Sequence, residues 1–127
     1  MKTYVILCIE DRPHNMRLIR KMLSRGNYTL LEAVSGLSGV EMAETHLPDL
    51  IFVDINLPDI DGMEVTKRIK ANPDLAHIRI IALTANAMYG DRENYLVNGC
   101  DGYLAKPVTR LELENMLYYQ LNKSGTY

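Results

Sequence analysis

The chain lacks the features that mark membrane, secreted and nucleic-acid-binding proteins. No apolar stretch approaches the roughly 20 residues of a membrane-spanning helix, and residues 1–4 precede an apolar run without the pattern of a signal peptide. The two cysteines, Cys8 and Cys100, are too few for a disulfide scaffold and lack metal-ligand spacing, so both are expected to be reduced. The net charge of −2 and the lack of a basic stripe argue against direct nucleic-acid binding. We therefore expect a cytoplasmic protein that contacts neither membrane nor nucleic acid.

Size and composition are those of an ordinary folded domain. The chain has 127 residues, of which 47% are hydrophobic and 24% are charged. A chain of this length buries enough surface for one hydrophobic core, and it contains no linker or internal repeat. We expect one domain over residues 1–123 and a disordered tail over residues 124–127.

Five short apolar runs predict strands that are buried on both faces, as in a parallel sheet. They span residues 5–9, 30–34, 50–53, 80–83 and 102–105.

Helical patterns separate these runs, and a fifth follows the last one. The third pattern opens at Asp61 with Glu64 three residues later, and the fifth opens at Thr109 with Glu112, as in capping boxes. The fourth covers roughly residues 88–98 and is only weakly amphipathic. The apolar positions of the other four are Ile19, Met22 and Leu23; Val40, Ala43 and Leu47; Val65 and Ile69; and Leu113, Met116, Leu117 and Leu121. This alternation predicts an α/β fold with helices on both faces of a parallel sheet.

Four of the five runs end on residues suited to phosphate or metal chemistry. The first ends on Glu10 and Asp11, the third on Asp54, the fourth on Thr84 and the fifth on Lys106. Ligands of open parallel sheets bind outside the carboxyl ends of the strands, so these side chains are expected to converge. Three clustered carboxylates repel one another, and Mg²⁺ is a cation that relieves such repulsion. Taken singly, each acid has a plainer interpretation as a helix cap.

Asp54 is the candidate nucleophile of this site. A carboxylate can take a phosphoryl group as an acyl phosphate, and a neighbouring lysine offsets charge on the transferring oxygens. Lys106 is that lysine, and a cis bond to Pro107 would aim it into the site. Thr84 offers a hydroxyl donor, although a β-branched residue at a strand end has a structural explanation by itself.

The ordered set of these residues resembles the receiver domain of two-component response regulators, in particular stand-alone receivers. The resemblance covers residues 4–121 approximately. It is carried by Glu10-Asp11, by residues 53–62 around Asp54, by Thr84-Ala85 and by Lys106-Pro107, in this order and spacing. The acidic pair is Glu-Asp where Asp-Asp is usual.

The resemblance implies a flavodoxin-like, doubly wound fold with strand order 2-1-3-4-5. It implies that Asp54 accepts the phosphoryl group, with Thr84 and Lys106 as its binding residues. Glu10, Asp11, Asp54 and the backbone carbonyl of Asn56 would hold Mg²⁺.

By the same resemblance, Thr84 and Tyr103 would form the switch. The donor would be a histidine kinase or histidine phosphotransfer protein. A downstream protein target would bind the face made by the fourth helix, fifth strand and fifth helix. The chain would act as a signalling module that catalyses only its own aspartyl phosphorylation and dephosphorylation.

Three other functions stay open from the residues. A phosphatase of the haloacid dehalogenase type also uses a strand-end aspartate, but it has an acid two residues later, where this chain has Asn56. A flavodoxin-like cofactor binder would need a phosphate loop after the first strand, where Glu10 and Asp11 would repel a phosphate. A degenerate receiver that acts without phosphorylation is the third, and the intact site residues argue against it.

Overall fold

The structure, a computed structural model, describes residues 2–85 and 91–122, and within them five strands alternate with five helices. The strands are β1 (Tyr4–Ile9), β2 (Tyr28–Ala33), β3 (Leu50–Asp54), β4 (Arg79–Thr84) and β5 (Gly102–Ala105). The helices are α1 (Pro13–Leu23), α2 (Gly36–His46), α3 (Gly62–Ala71), α4 (Asp91–Val97) and α5 (Arg110–Leu121).

The strands form one parallel sheet in the order β2-β1-β3-β4-β5. Every residue of the central strand β3 is buried, because the sheet is covered on both sides. The predicted α/β class is therefore confirmed, and so is the strand order that the resemblance implied. Each predicted strand lies within two residues of the observed bounds.

Two hydrophobic clusters, one on each face of the sheet, hold the helices in place. On one face, α1 and α5 cover alternate residues of the central strands, such as Phe52 and Leu83. On the other face, α2, α3 and α4 cover the intervening residues, such as Val53 and Ala82. Alternation of side chains along each strand thus decides which helices a strand residue meets.

The predicted capping box of α5 is present in both directions between Thr109 and Glu112. At α3 only half of the predicted capping box is present: Asp61 accepts from the backbone N–H of Glu64, while the Glu64 carboxylate pairs with Arg68.

The second helical pattern includes Leu47, but α2 ends one residue earlier, at His46. Leu47 lies just after α2 in the left-handed conformation, with φ of 49°, and its side chain is 55% exposed. A residue that leaves a helix in this conformation no longer follows the helical repeat that placed it beside Ala43.

On α5, Tyr118 and Tyr119 are both exposed.

Parts of two predictions lie outside the described residues. They are the first residues of the fourth helical pattern, 88–90, and the tail at 124–127.

Gly99 follows α4 with φ of 105°, a left-handed conformation that favours glycine. In the part of the chain described, no helix combines the length and apolar character needed for a bilayer crossing.

Candidate functional site

The carboxyl ends of β1 and β3 bring three acidic side chains together. Glu10, Asp11 and Asp54 each offer a carboxylate oxygen, and these oxygens all lie within 4.8 Å of one another. The cluster is set into the molecule, since Glu10 is 1% and Asp54 is 3% exposed. The convergence expected from the strand ends is therefore present for all three acids.

Lys106 joins this cluster from the end of β5. Its Nζ lies 2.7 Å from Oε1 of Glu10 and 3.3 Å from Oδ1 of Asp54. Its backbone N–H donates to the carbonyl of Thr84, which holds the end of β5 against β4. The bond between Lys106 and Pro107 is cis. One ammonium thus faces three carboxylates.

The negative field of the cluster reaches the strand below it. Burial raises the pKa of the Cys8 thiol strongly, and the nearby charge of Glu10 raises it further. Cys8 and Cys100 are both buried free thiols, in keeping with the expectation of two reduced residues.

The donor set fits a hard divalent cation. Mg²⁺ binds carboxylate and carbonyl oxygens, and three carboxylates against one ammonium leave an excess of negative charge. Oδ1 of Asp11 is buried and has no hydrogen-bond partner among the described residues. A buried carboxylate oxygen without a donor is costly unless a cation completes it. The residues present therefore suit a metal ion.

The loop after Asp54 is held close to the acidic cluster. The backbone N–H of Asn56 donates to Oδ1 of Asp54 at 3.2 Å, and the N–H of Gly62 donates to the carbonyl of Ile55 at 2.9 Å. A Cβ at position 62 would lie 2.6 Å from the carbonyl oxygen of Asp54. Glycine at this position is what allows the start of α3 to pack against the end of β3.

Thr84 lies at the end of β4, as predicted, and its hydroxyl is hydrogen-bonded to a residue of α4. Its Oγ1 lies 2.9 Å from the hydroxyl oxygen of Tyr95 on α4, and the ring of Tyr95 lies 6.2 Å from that of Tyr103. Sequence reasoning did not select Tyr95. The weak apolar pattern of the fourth helix gave no reason to place this residue against Thr84.

Asp59 is a second residue that sequence reasoning missed. Its two carboxylate oxygens accept from the backbone N–H groups of Gly36 and Leu37 at 2.8 Å each, and so bind the first turn of α2. These hydrogen bonds, led by the one from Leu37, lower the pKa of Asp59 from 3.8 to about 2. No local sequence pattern selects Asp59, because the helix start to which it binds lies 23 residues earlier in the chain, at Gly36.

Comparisons with known proteins agree with this arrangement. A family model described as the response regulator receiver domain matches residues 6–118. The polar-differentiation response regulator DivK of Brucella ovis is 41% identical over 107 residues, which cover 84% of this chain and 87% of the relative.

Solved structures give the same picture. The receiver domain of a sensor histidine kinase from Pseudomonas aeruginosa PAO1 was solved with a magnesium ion coordinated in its active-site cleft. It is 40% identical, with a TM-score of 0.88, and the match covers 95% of this chain and 99% of that one. The chemotaxis protein CheY4 of Vibrio cholerae shares the fold, with a TM-score of 0.88 at 22% identity over 94% of this chain and all of that one, 100%.

Proposed function

The chain belongs to the response regulator receiver domain family, and from this premise we propose that Asp54 takes a phosphoryl group from a phosphohistidine donor. As a receiver, the chain is a signalling module of two-component signal transduction. The observation that carries the assignment to Asp54 is the contact of Lys106 with both Glu10 and Asp54 at the carboxyl ends of the strands.

The proposed reaction needs little beyond positioning and charge. An oxygen of the Asp54 carboxylate attacks the phosphorus, the phosphorus–nitrogen bond to the donor imidazole breaks, and an acyl phosphate forms. Lys106 offsets negative charge on the phosphoryl oxygens, and Thr84 donates a hydrogen bond to one of them. Hydrolysis of the acyl phosphate returns the aspartate, so the chain would catalyse both its own phosphorylation and its dephosphorylation.

We assign a magnesium ion to the acidic cluster. Glu10, Asp11, Asp54 and the backbone carbonyl of Asn56 would hold it. Oδ1 of Asp11, which finds no hydrogen-bond partner among the residues that the structure describes, supports this set. When bound, the ion supplies positive charge beside the transferring phosphoryl group. The relative from Pseudomonas aeruginosa, with magnesium in its cleft, gives further support.

We further assign the partners and the extent of the module. A histidine kinase or histidine phosphotransfer protein would supply the phosphoryl group, and residues 1–123 would form the receiver unit. The face made by α4, β5 and α5 would bind a downstream protein, with Thr84 and Tyr103 as the switch. In support, Leu96 of α4 and Tyr119 of α5 are exposed large side chains that line one hollow together with Tyr103 of β5. Exposed apolar side chains that lie together favour protein contacts.

The test is phosphorylation by a small donor. Incubation with acetyl phosphate and Mg²⁺ should add one phosphoryl group by intact mass, and Asp54→Asn should abolish the addition. Asp74→Asn makes the same change at an exposed residue after α3, and it should be phosphorylated normally. Efficient modification of the Asp54→Asn protein would show that another residue is the acceptor.

A further inference from the structure

The hydroxyl of Thr84, which the proposed reaction needs, is hydrogen-bonded to Tyr95. The hydroxyl oxygen of Tyr95 lies 2.9 Å from Oγ1 of Thr84, and both residues are buried, Tyr95 at 5% and Thr84 at 2% exposed. A donor to a phosphoryl oxygen on Asp54 has to come within about 3 Å of that oxygen. The oxygen of Thr84 therefore has to change neighbours, or share them, when a phosphoryl group arrives.

The fold explains why Tyr95 meets Thr84. Side chains alternate along β4, so Thr84 continues the face of Ile80 and Ala82, which is the face that α4 covers. Tyr95 is the buried one among residues 94–97, the part of α4 whose burial is described, and it belongs to the cluster on that face. Its ring also contacts the ring of Tyr103 at a centroid distance of 6.2 Å. One tyrosine thus touches both proposed switch residues.

The geometry points to Tyr95 as a positioning residue that holds Thr84 in the unphosphorylated arrangement, so that a phosphoryl group on Asp54 competes with the Tyr95 hydroxyl for the threonine. Tyr95 has this role only if Asp54 accepts the phosphoryl group, as proposed above. The hydrogen bond stabilises the unphosphorylated state, and it is lost when Thr84 turns toward Asp54.

The direction of the effect follows from which state contains the bond. Tyr95→Phe keeps the ring and its contact with Tyr103 but removes the hydroxyl, which raises the free energy of the unphosphorylated state alone. Loss of a hydrogen bond of ordinary net strength from that state should tighten the binding of beryllofluoride, a phosphoryl mimic, by about 2- to 10-fold. If the role of Tyr95 were purely structural, Tyr95→Phe would lower the stability of both states alike and would leave the affinity for the phosphoryl mimic unchanged.

The experiment measures the affinity for beryllofluoride with saturating Mg²⁺ by calorimetry. Tyr95→Phe should bind about 2- to 10-fold more tightly than the unmodified protein. Tyr28→Phe removes a hydroxyl from β2, at the other edge of the sheet, and should bind with unchanged affinity. Equal or weaker binding by Tyr95→Phe overturns the inference.

A double-mutant cycle tests whether the effect passes through Thr84. In the Thr84→Ala background, Tyr95→Phe should leave the beryllofluoride affinity unchanged, because the bond is already absent. An equal tightening in both backgrounds contradicts competition for Thr84.

A measurement on the protein with native Tyr95 covers the case in which Tyr95→Phe does not fold. With tyrosines labelled at Cζ with carbon-13, the Tyr95 resonance should shift on saturation with beryllofluoride, and it should not shift in Asp54→Asn. A resonance that stays in place overturns the role of Tyr95. If the unmodified protein binds no beryllofluoride at all, the proposed function of Asp54 fails instead.

Discussion

At the scale of single residues, the ammonium of Lys106 contacts two carboxylates at different distances. Its Nζ is closer to Glu10 than to Asp54, at 2.7 Å and 3.3 Å. Glu10 carries one methylene more than an aspartate would, which lengthens its reach. Both carboxylates are almost fully buried, so their charges interact in a medium of lower dielectric than water. Glu10 is thus the counter-ion of Lys106 as well as a proposed metal ligand.

Removal of the acidic pair should weaken metal binding severely. The double variant Glu10→Gln and Asp11→Asn keeps the size of both side chains and removes two charges. Changes to outer partners of metal sites already cost about 10- to 100-fold in affinity, so loss of two ligands should cost at least as much. The free energy of unfolding should change little, because Lys106 keeps Asp54 as a partner. Magnesium affinity is measured by calorimetry, and the phosphorylation rate should fall with it.

A matched control is the double variant Glu41→Gln and Glu44→Gln on the exposed side of α2. It removes the same charge from the chain outside the site, so magnesium affinity should be unchanged. The assignment of the metal ligands is contradicted if the two double variants bind magnesium equally well.

At the scale of elements, Asp59 ties the loop after β3 to the start of α2. The first turn of a helix has N–H groups without partners in the helix, and a carboxylate also interacts favourably with that end of the dipole. Ser35 caps the same helix from within through a capping box with Ser38. The loop that carries Asn56 is therefore anchored at Asp59 to an element that is distant in sequence.

This anchor should make stability depend on acid pH. The pKa of Asp59 is about 2 in the folded chain, below its ordinary 3.8, so its contribution is complete above about pH 4 and is lost as pH falls toward 2. Asp59→Asn cannot titrate here, so its urea midpoint should fall less between pH 4 and pH 2 than that of the unmodified protein. Asp74→Asn serves as the control and should follow the unmodified protein. Parallel curves for Asp59→Asn and the unmodified protein would contradict the contribution of this carboxylate.

The end of α2 offers a stabilising substitution. Leu47 has φ of 49° and an exposed side chain, so it bears the steric cost of the left-handed conformation, about 1–2 kcal/mol, with little apolar burial in return. Leu47→Gly should raise the free energy of unfolding by about 0.5–1 kcal/mol after the greater entropy of glycine in the unfolded chain is included. Urea unfolding measures the change.

Leu37→Gly is the matched control on the same helix. Leu37 is also exposed, but it is the second residue of α2 and has no left-handed conformation to relieve, so glycine there should cost up to about 1 kcal/mol. The two substitutions should therefore change stability in opposite directions. A loss of stability in both would show that the conformation at Leu47 is not strained.

At the scale of the whole molecule, the parallel sheet connects the site to a distant face. The ends of β1, β3, β4 and β5 meet at the acidic cluster, while Thr84 also contacts α4 through Tyr95. A phosphoryl group on the proposed acceptor Asp54 would bring about −1.5 to −2 charges and three acceptor oxygens. Ligand and partner together have to supply about 5 kcal/mol to move a mostly inactive population to a mostly active one. Each should then tighten the binding of the other.

Amide exchange should trace this connection. Addition of beryllofluoride and Mg²⁺ should change protection in α4, β5 and α5 as well as in the loop after Asp54, and Thr84→Ala should reduce the distant changes. Asp54→Asn should show none of them. If the changes stay within the loop after Asp54, output runs through another face of the molecule.

The sequence by itself determined the class of fold and the convergence of four charged residues at one edge of the sheet. Apolar runs of strand length alternating with helical repeats leave few arrangements other than a parallel sheet with helices on both faces. Because the carboxyl ends of such strands meet at one edge, the sequence pattern alone predicts that Glu10, Asp11, Asp54 and Lys106 lie together. The capping box of Thr109 and Glu112 was equally predictable, since it depends on residues three positions apart.

Only the tertiary structure decided which side chains these residues meet. Lys106 is nearer to Glu10 than to Asp54, Asp59 caps a helix that precedes it by 23 residues, and Thr84 hydrogen-bonds Tyr95. Leu47 departs from the helical repeat because one backbone angle is reversed at the end of α2. Local patterns report interactions between near neighbours in the chain. Partners far apart in sequence are chosen by the packing of helices on the sheet, which brings their atoms within hydrogen-bond distance.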